Sequence, residues 1–316
     1  DNSLIIPRVF SVFGRYISFS LIPMLMKRKP DILMLGGFSI PGNMLAYLWA
    51  VLNRKKIIVF TERSRDKYGS PRKFDVVWRT IKAVYRKIDL IIVSAPDIED
   101  QFRNEFHFGD KVVVGQYPAD LEAFVSHKAR KKSRDFTYLF ANRLTQIYEP
   151  LLAIKIFNAI WLIQPNSRLL LNARGELRRE CELLITKLGL QSVASFLDDL
   201  KSWDELHLVY ARSDILLLPA NFSNGNFTVL EAMASGMGIV ISDRVLGIGL
   251  LVEDGKNGFR CEHEFEQYID RLKCYLGDPP LIELHAKKNR EIIKDYTVEA
   301  TASNLYSICK ENLLCP

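Results

Sequence analysis

Asn221–Gly236, NFSNGNFTVLEAMASG, sets a loop of small residues directly before a short helical run carrying one carboxylate, Glu231. Ser223, Asn224, Gly225 and Asn226 present backbone N–H groups with little steric obstruction. The start of a helix adds partial positive charge, so the segment suits an anion such as a diphosphate. Thr228 and Glu231 stand three residues apart and share a helical face. A carboxylate one turn into the helix is poorly placed to hold phosphate but well placed to accept hydrogen bonds from two sugar hydroxyls, as a ribose offers. Alone, such a loop also fits an ordinary surface turn. The flanks decide: DILLLPA (214–220) and GMGIVISD (236–243) are apolar runs of strand length. Loop and helix therefore sit inside a βαβ unit, where ligands bind at the carboxyl ends of the strands.

Outward from this unit the pattern alternates. DILMLGG (31–37), KKIIVFTE (55–62), DLIIVSAP (89–96) and KVVVGQYP (111–118) read as buried parallel strands, with helices near 40–53, 75–87 and 97–106. The basic stretch SHKARKKSRD (126–135) interrupts them as a linker. A second series follows, with strands expected at about 137–141, 168–172, 193–197, 214–219 and 238–242. The fold class is α/β, two doubly wound domains facing a central cleft. Residues 9–30, VFSVFGRYISFSLIPMLMKRKP, read as a helix-like apolar stretch.

Composition is that of a globular chain of about two domains: 316 residues, 48% hydrophobic and 25% charged. No signal peptide and no uninterrupted apolar run of membrane-spanning length stands out. The five cysteines (Cys181, Cys261, Cys274, Cys309, Cys315) lack CxxC spacing, so free thiols in a reducing cytoplasm are expected. Residues 1–137 hold 24 Lys+Arg against 14 Asp+Glu, whereas the remainder is net acidic within an overall charge of +6. With Phe10, Phe13, Tyr16, Ile17, Phe19 and the cluster Lys27, Arg28, Lys29, this basic half suits anionic lipid, a solvated face being the alternative. No nucleic-acid-binding pattern appears, so no nucleic acid partner is expected.

Residues 216–243, LLLPANFSNGNFTVLEAMASGMGIVISD, with LVEDGKNGFRC (251–261), resemble the donor-binding region of retaining GT-B glycosyltransferases of glycosyltransferase family 4. YLFANRL (138–144), RLLLNARGE (168–176), VASFLDDL (193–200) and KKNREIIKDYTVEATASNLYSI (287–308) extend the likeness over roughly 170 residues in order. The resemblance implies an N-terminal acceptor-side domain over 1–127, a nucleotide-sugar domain over 128–299, and a closing helix at 300–316 that returns to the first. A complete member opens with a strand and a glycine-containing turn. Their absence after Asp1 is read as truncation or processing, with a natural short variant as the alternative.

The implied reaction moves a sugar from a nucleotide-diphosphate donor to an acceptor hydroxyl with retention, in cell-envelope polysaccharide, lipopolysaccharide or glycolipid synthesis. Arg143 is the main diphosphate cation, with Asn142 beside it. Gly225, Asn226 and Phe227 supply N–H groups, Glu231 with Thr228 holds the ribose, Arg174 adds charge, and Leu197 lies near the base. The chain departs from the family in three ways. Ser223 stands where the first of two glutamates belongs, Tyr148 followed by Glu149 where a lysine belongs, and the first histidine is only at His107. These departures leave open a catalytically degenerate nucleotide-sugar-binding or partner protein; an epimerase using Glu62 is the other alternative. No Asp-x-Asp triplet occurs and Asp198–Asp199 reads as a loop, so no metal or other cofactor is expected. A lipid-linked or glycan acceptor and a cytoplasmic setting, at the inner face of the membrane, complete the expectation.

Overall fold

The structure, a computed structural model, describes residues 10–12, 15–18, 20–38, 41–62, 83–125, 135–200, 202–223 and 227–314. It divides into two units, one formed by 1–117 with 302–316 and the other by 118–301.

The first unit departs at once from the helix expected over 9–30. β1 (Phe10–Val12) and β2 (Arg15–Ile17) pair antiparallel, and helix α1 is confined to Leu21–Arg28. Phe10, Val12, Tyr16 and Ile17 are strand-favouring types, and Gly14 between the two runs weakens any helix across them. Phe13 and Phe19 lie outside the described residues. The main sheet is β3 (Ile32–Gly36), β4 (Lys56–Thr61), β5 (Leu90–Val93) and β6 (Val112–Val114), parallel and in sequential order. Ile57, Ile58, Val59 and all of β5 are at most 1% exposed, which is why these strands read as unbroken apolar runs. α2 (Pro41–Leu52) makes the first crossover, and α3 (Pro96–Asp100) follows β5, running on as one wide turn to Glu105. Of the helix expected over 75–87, residues 75–82 lie outside the described residues.

The second unit runs β7 (Thr137–Phe140), α4 (Pro150–Ile163), β8 (Arg168–Leu171), α5 (Arg178–Lys187), β9 (Ala194–Phe196), α6 (Leu206–Ala211), β10 (Ile215–Leu218) and α7 (Phe227–Ala234). It continues through β11 (Gly238–Ser242), α8 (Ile248–Leu251), β12 (Phe259–Cys261), α9 (Phe265–Gly277), α10 (Pro280–Ile292) and α11 (Val298–Cys309). All six strands are parallel, in the order β12-β11-β10-β7-β8-β9. β12 is a strand absent from the expected series; three residues are too few to show a period. The chain winds outward from β7 to β9, then returns to the other flank of β7 and winds through β10 to β12. The carboxyl ends of β7 and β10 are thus the switch point, the crevice where doubly wound sheets bind ligands.

Gln146–Ile163 is long and apolar enough to cross a membrane by length and composition. Ala153, Ile154, Ile156, Phe157 and Ile160 are nevertheless fully buried in the unit's core, the role of an interior helix.

The division falls at Tyr117–Pro118, eight residues before the start of the basic stretch at 126–135. Ala119 N–H donates to Tyr296 O at 3.1 Å, and Leu121 is buried in the second core, so 118–125 are already committed to that unit. α11 begins in the second unit and ends in the first, where Leu305 and Ile308 pack against Ile58, Leu90 and Ile92. Gly115 permits this approach, since a Cβ there would meet Ile92 at 2.4 Å and Leu305 at 3.3 Å.

Candidate functional site

Four loops at the carboxyl edge of the second sheet carry the site residues. After β7, Asn142 and Arg143 precede Leu144; after β8 come Asn172, Ala173, Arg174 and Gly175. The two loops are stitched together. Asn172 Nδ2 donates to Ala141 O (2.7 Å), Leu144 N–H to Arg174 O (2.7 Å) and Leu177 N–H to Leu144 O (2.9 Å). Such contact requires Gly175 (φ +148°), where a Cβ would lie 2.3 Å from the carbonyl oxygen of Leu144. The stitching leaves the Arg143 and Arg174 side chains exposed on the edge. Among the described residues Arg143 makes no ion pair, and the buried Asn142 Oδ1 and Thr145 Oγ1 accept or donate no hydrogen bond. The guanidinium can donate to anionic oxygens, Thr145 Oγ1 can donate or accept, and Asn142 Oδ1 can accept from a ligand hydroxyl.

α7 supplies the carboxylate. Val229, Leu230 and Met233 are buried, each contributing about 1.5–3 kcal/mol of apolar burial, and they fix the helix against the sheet with its first turn at the carboxyl edge. Glu231 is then half-buried, and its Oε2 accepts from the hydroxyl of Tyr210 at 2.5 Å. Burial pushes the Glu231 carboxyl above its ordinary range, against the pull of the Tyr210 hydrogen bond. Tyr210, fully buried on α6, is itself raised well above the usual phenol range, first by burial and then by Glu231; its hydroxyl also bonds Thr228. Tyr210 thus holds the carboxylate through Oε2. Phe227 is exposed at the head of the helix, while Asn224, Gly225 and Asn226 lie outside the described residues. Ser223 is buried, bridged in parallel to Val245, and its carbonyl accepts from Leu246 N–H at 2.8 Å.

Leu197 and Leu200, after β9, join Asn172, Ala173 and Arg174 around a recess of about 60 Å³. A larger hollow of about 560 Å³ extends from these two leucines along β8, β9 and α6 toward Thr137 and Arg168, at the amino ends of their strands. We assign the ligand edge to the smaller recess, because the loops after β8 and β9 that line it lie at the carboxyl edge of the sheet. Asp198 is engaged through both oxygens by Arg178 (2.9 Å each), whose guanidinium lies 3.6 Å over the Phe196 ring. That pairing holds the Asp198 carboxyl below its usual range and fixes the β9 loop. Among the described residues no group of three His, Cys, Asp or Glu is arranged to hold a metal ion.

Tyr148 is half-buried against the core, and Glu149 begins α4 in a left-handed conformation (φ +55°). Sequence reading missed Tyr210, whose link to Glu231 spans 21 positions, and Arg178, whose partner lies 20 positions away. In the first unit Glu62, at the end of β4, is hydrogen-bonded to Tyr117, and burial raises its carboxyl. Lys27, Arg28 and Lys29 are exposed at the end of α1, and Leu48 and Leu52 of α2 are exposed.

Residues 123–297, more than half of the chain, match the family described as Glycosyl transferases group 1. An uncharacterized glycosyltransferase of Haemophilus influenzae is 26% identical over 147 residues, 46% of this chain and 41% of that protein. Sulfoquinovosyl transferase SQD2 of Arabidopsis thaliana is 24% identical over 320 residues, 95% of this chain and 58% of that one. The chain thus spans about half the length of these curated relatives. The crystal structure of Anabaena HepE in complex with UDP and glucose superposes with a TM-score of 0.73 at 15% identity, covering 93% of this chain and 81% of that one. The fold is accordingly GT-B, built of two Rossmann-like units.

Proposed function

Because the chain belongs to the family Glycosyl transferases group 1, we propose that it transfers a sugar, with retention and in the manner of family 4, from a nucleoside-diphosphate donor to an acceptor hydroxyl. The observation that carries this reading is the set of groups at the switch point. Arg143 and the unspent Asn142 Oδ1 stand at the end of β7, and Glu231, held by Tyr210, stands on α7. The barrier to transfer falls when charge developing on the leaving diphosphate meets donors already in place. Arg143 would supply the principal charge, Arg174 a second from β8, Glu231 would accept from the ribose, and the Leu197 recess would take the base. The same reading assigns charge stabilisation to these cations without a divalent ion. It also assigns a lipid-linked or glycan acceptor of cell-envelope synthesis and a cytoplasmic setting against anionic membrane. Exposed Lys27, Arg28 and Lys29 beside exposed α2 leucines support that last part.

A second reading, binding without transfer, draws on Tyr148 and Ser223, neither of which carries charge. One experiment separates the two. The protein is incubated with a panel of nucleotide-sugars, with and without cell-envelope acceptor extract, and nucleoside diphosphate release is followed. Acceptor-dependent release that collapses in Arg143→Ala is the expected result. Donor binding with no release under any condition favours the second reading, and no binding at all removes both.

A further inference from the structure

We propose that Arg244 is a further diphosphate-binding cation, brought to the switch point from β11. The inference rests on the functional reading above. β11 pairs with β10 on the flank away from β7, so loops from β7 and β11 bracket the carboxyl end of β10. Arg143 enters from one side and Arg244, two residues past β11, from the other. A hydrogen bond to the β10 loop places the Arg244 guanidinium. Its Nη1 donates to Asn221 Oδ1 at 2.5 Å, and Asn221 N–H donates to Ile147 O at 3.0 Å, so it is tied to the β10 loop, which in turn grips the β7 loop. Burial lifts the half-buried Glu149 carboxyl, one position after Tyr148, and the charges of Lys155 and then Arg244 pull it back. The Arg244 backbone N–H is held by Ser242 Oγ at 3.2 Å.

Tyr148 leaves the β7 loop without a second cation after Arg143, and Arg244 brings a guanidinium to that corner from a different strand. The planar five-donor fork of an arginine can engage Asn221 and a phosphate oxygen together, which an ammonium on the same stem would do less well. The Arg244 charge also acts on His263 and Tyr268. The opposing role is purely structural, a clamp between the β10 and β11 loops.

Calorimetry with UDP, GDP and ADP and with the matching nucleosides distinguishes them. Arg244→Ala is expected to weaken the preferred nucleoside diphosphate by about 10- to 100-fold, the range for a lost hydrogen bond to a charged group. Nucleoside affinity should stay within about twofold, and Arg244→Lys should retain part of the diphosphate affinity. Adding Tyr148→Lys to Arg244→Ala should restore diphosphate binding by returning a cation to the corner. Equal losses for nucleoside and diphosphate, or no loss for either, overturn the assignment in favour of the clamp. If the parent protein binds no nucleoside diphosphate, the functional reading fails and this inference falls with it; if the parent binds and Arg244→Ala binds equally, only this inference fails.

Discussion

Replacing Gly175 by alanine tests whether the stitched β7 and β8 loops create the site. The new Cβ would stand 2.3, 2.4 and 2.5 Å from the O, C and N of Leu144, where ordinary carbon contacts begin near 3.5 Å. The loops must therefore part by roughly 1 Å. The Leu144–Arg174 and Leu177–Leu144 bonds, 2.7 and 2.9 Å long, cannot survive that separation. Each backbone group left unpaired costs about 1–3 kcal/mol, and a side chain at φ +148° adds about 1–3 kcal/mol of strain. A loss of about 3–9 kcal/mol follows, a fall of roughly 6 °C or more in the Tm of a unit this size. Gly189→Ala is the control: φ is +71°, but a Cβ there meets open space, so only strain remains. Scanning calorimetry reads the stability, and titration with nucleoside diphosphate reads the site, where displacement of Asn142, Arg143 and Arg174 should weaken binding at least tenfold. If Gly175→Ala melts within 2 °C of Gly189→Ala and binds as the parent does, the stitching does not position the site.

Three further outcomes are expected. Glu231→Gln should weaken nucleotide binding by on the order of 1.5–3 kcal/mol yet raise the stability of the unliganded protein at neutral pH. Folding lifts this carboxyl, so its contribution to stability is full below the ordinary carboxylate range and lost as pH rises through the lifted value. The Tm advantage of the Gln variant should therefore grow from pH 4 to pH 7, and a constant difference would contradict the burial argument. Turnover in excess EDTA should equal turnover with added magnesium or manganese; loss in EDTA that is reversed by either ion would show that the arginines do not suffice. Co-sedimentation with liposomes should require anionic lipid, weaken as salt rises past about 0.15 M, and decline in the Lys27→Glu, Arg28→Glu, Lys29→Glu triple variant.

The parallel strands were legible because burial on both faces forces unbroken apolar runs, as in Leu90–Val93 and Gly238–Ser242. Glu231 was legible as the lone carboxylate on an otherwise apolar helix. Tyr210 was not: in sequence a buried tyrosine on a short apolar helix is indistinguishable from core, and only the fold reveals that its hydroxyl meets a carboxylate. The antiparallel pair at 10–17 was misread as helix because a three-residue strand is too short to show a repeated alternation. Charge marks exposed chain, as in the basic stretch at 126–135, whereas commitment to a core is set by residues such as Ala119 and Leu121.

The winding of the chain bears on how such proteins recombine. The second unit is a single uninterrupted stretch, Pro118–Thr301, whereas the first is assembled from both ends of the chain. Exchanging the second unit with that of a relative is therefore an insertion with two splice points. A single crossover near Tyr117 would import a foreign tail as well, and its counterparts of Leu305, Ile308 and Leu313 would have to settle on Ile58, Leu90 and Ile92. Hybrids made with one junction thus test tail packing and donor preference together, and only the doubly spliced exchange separates the two.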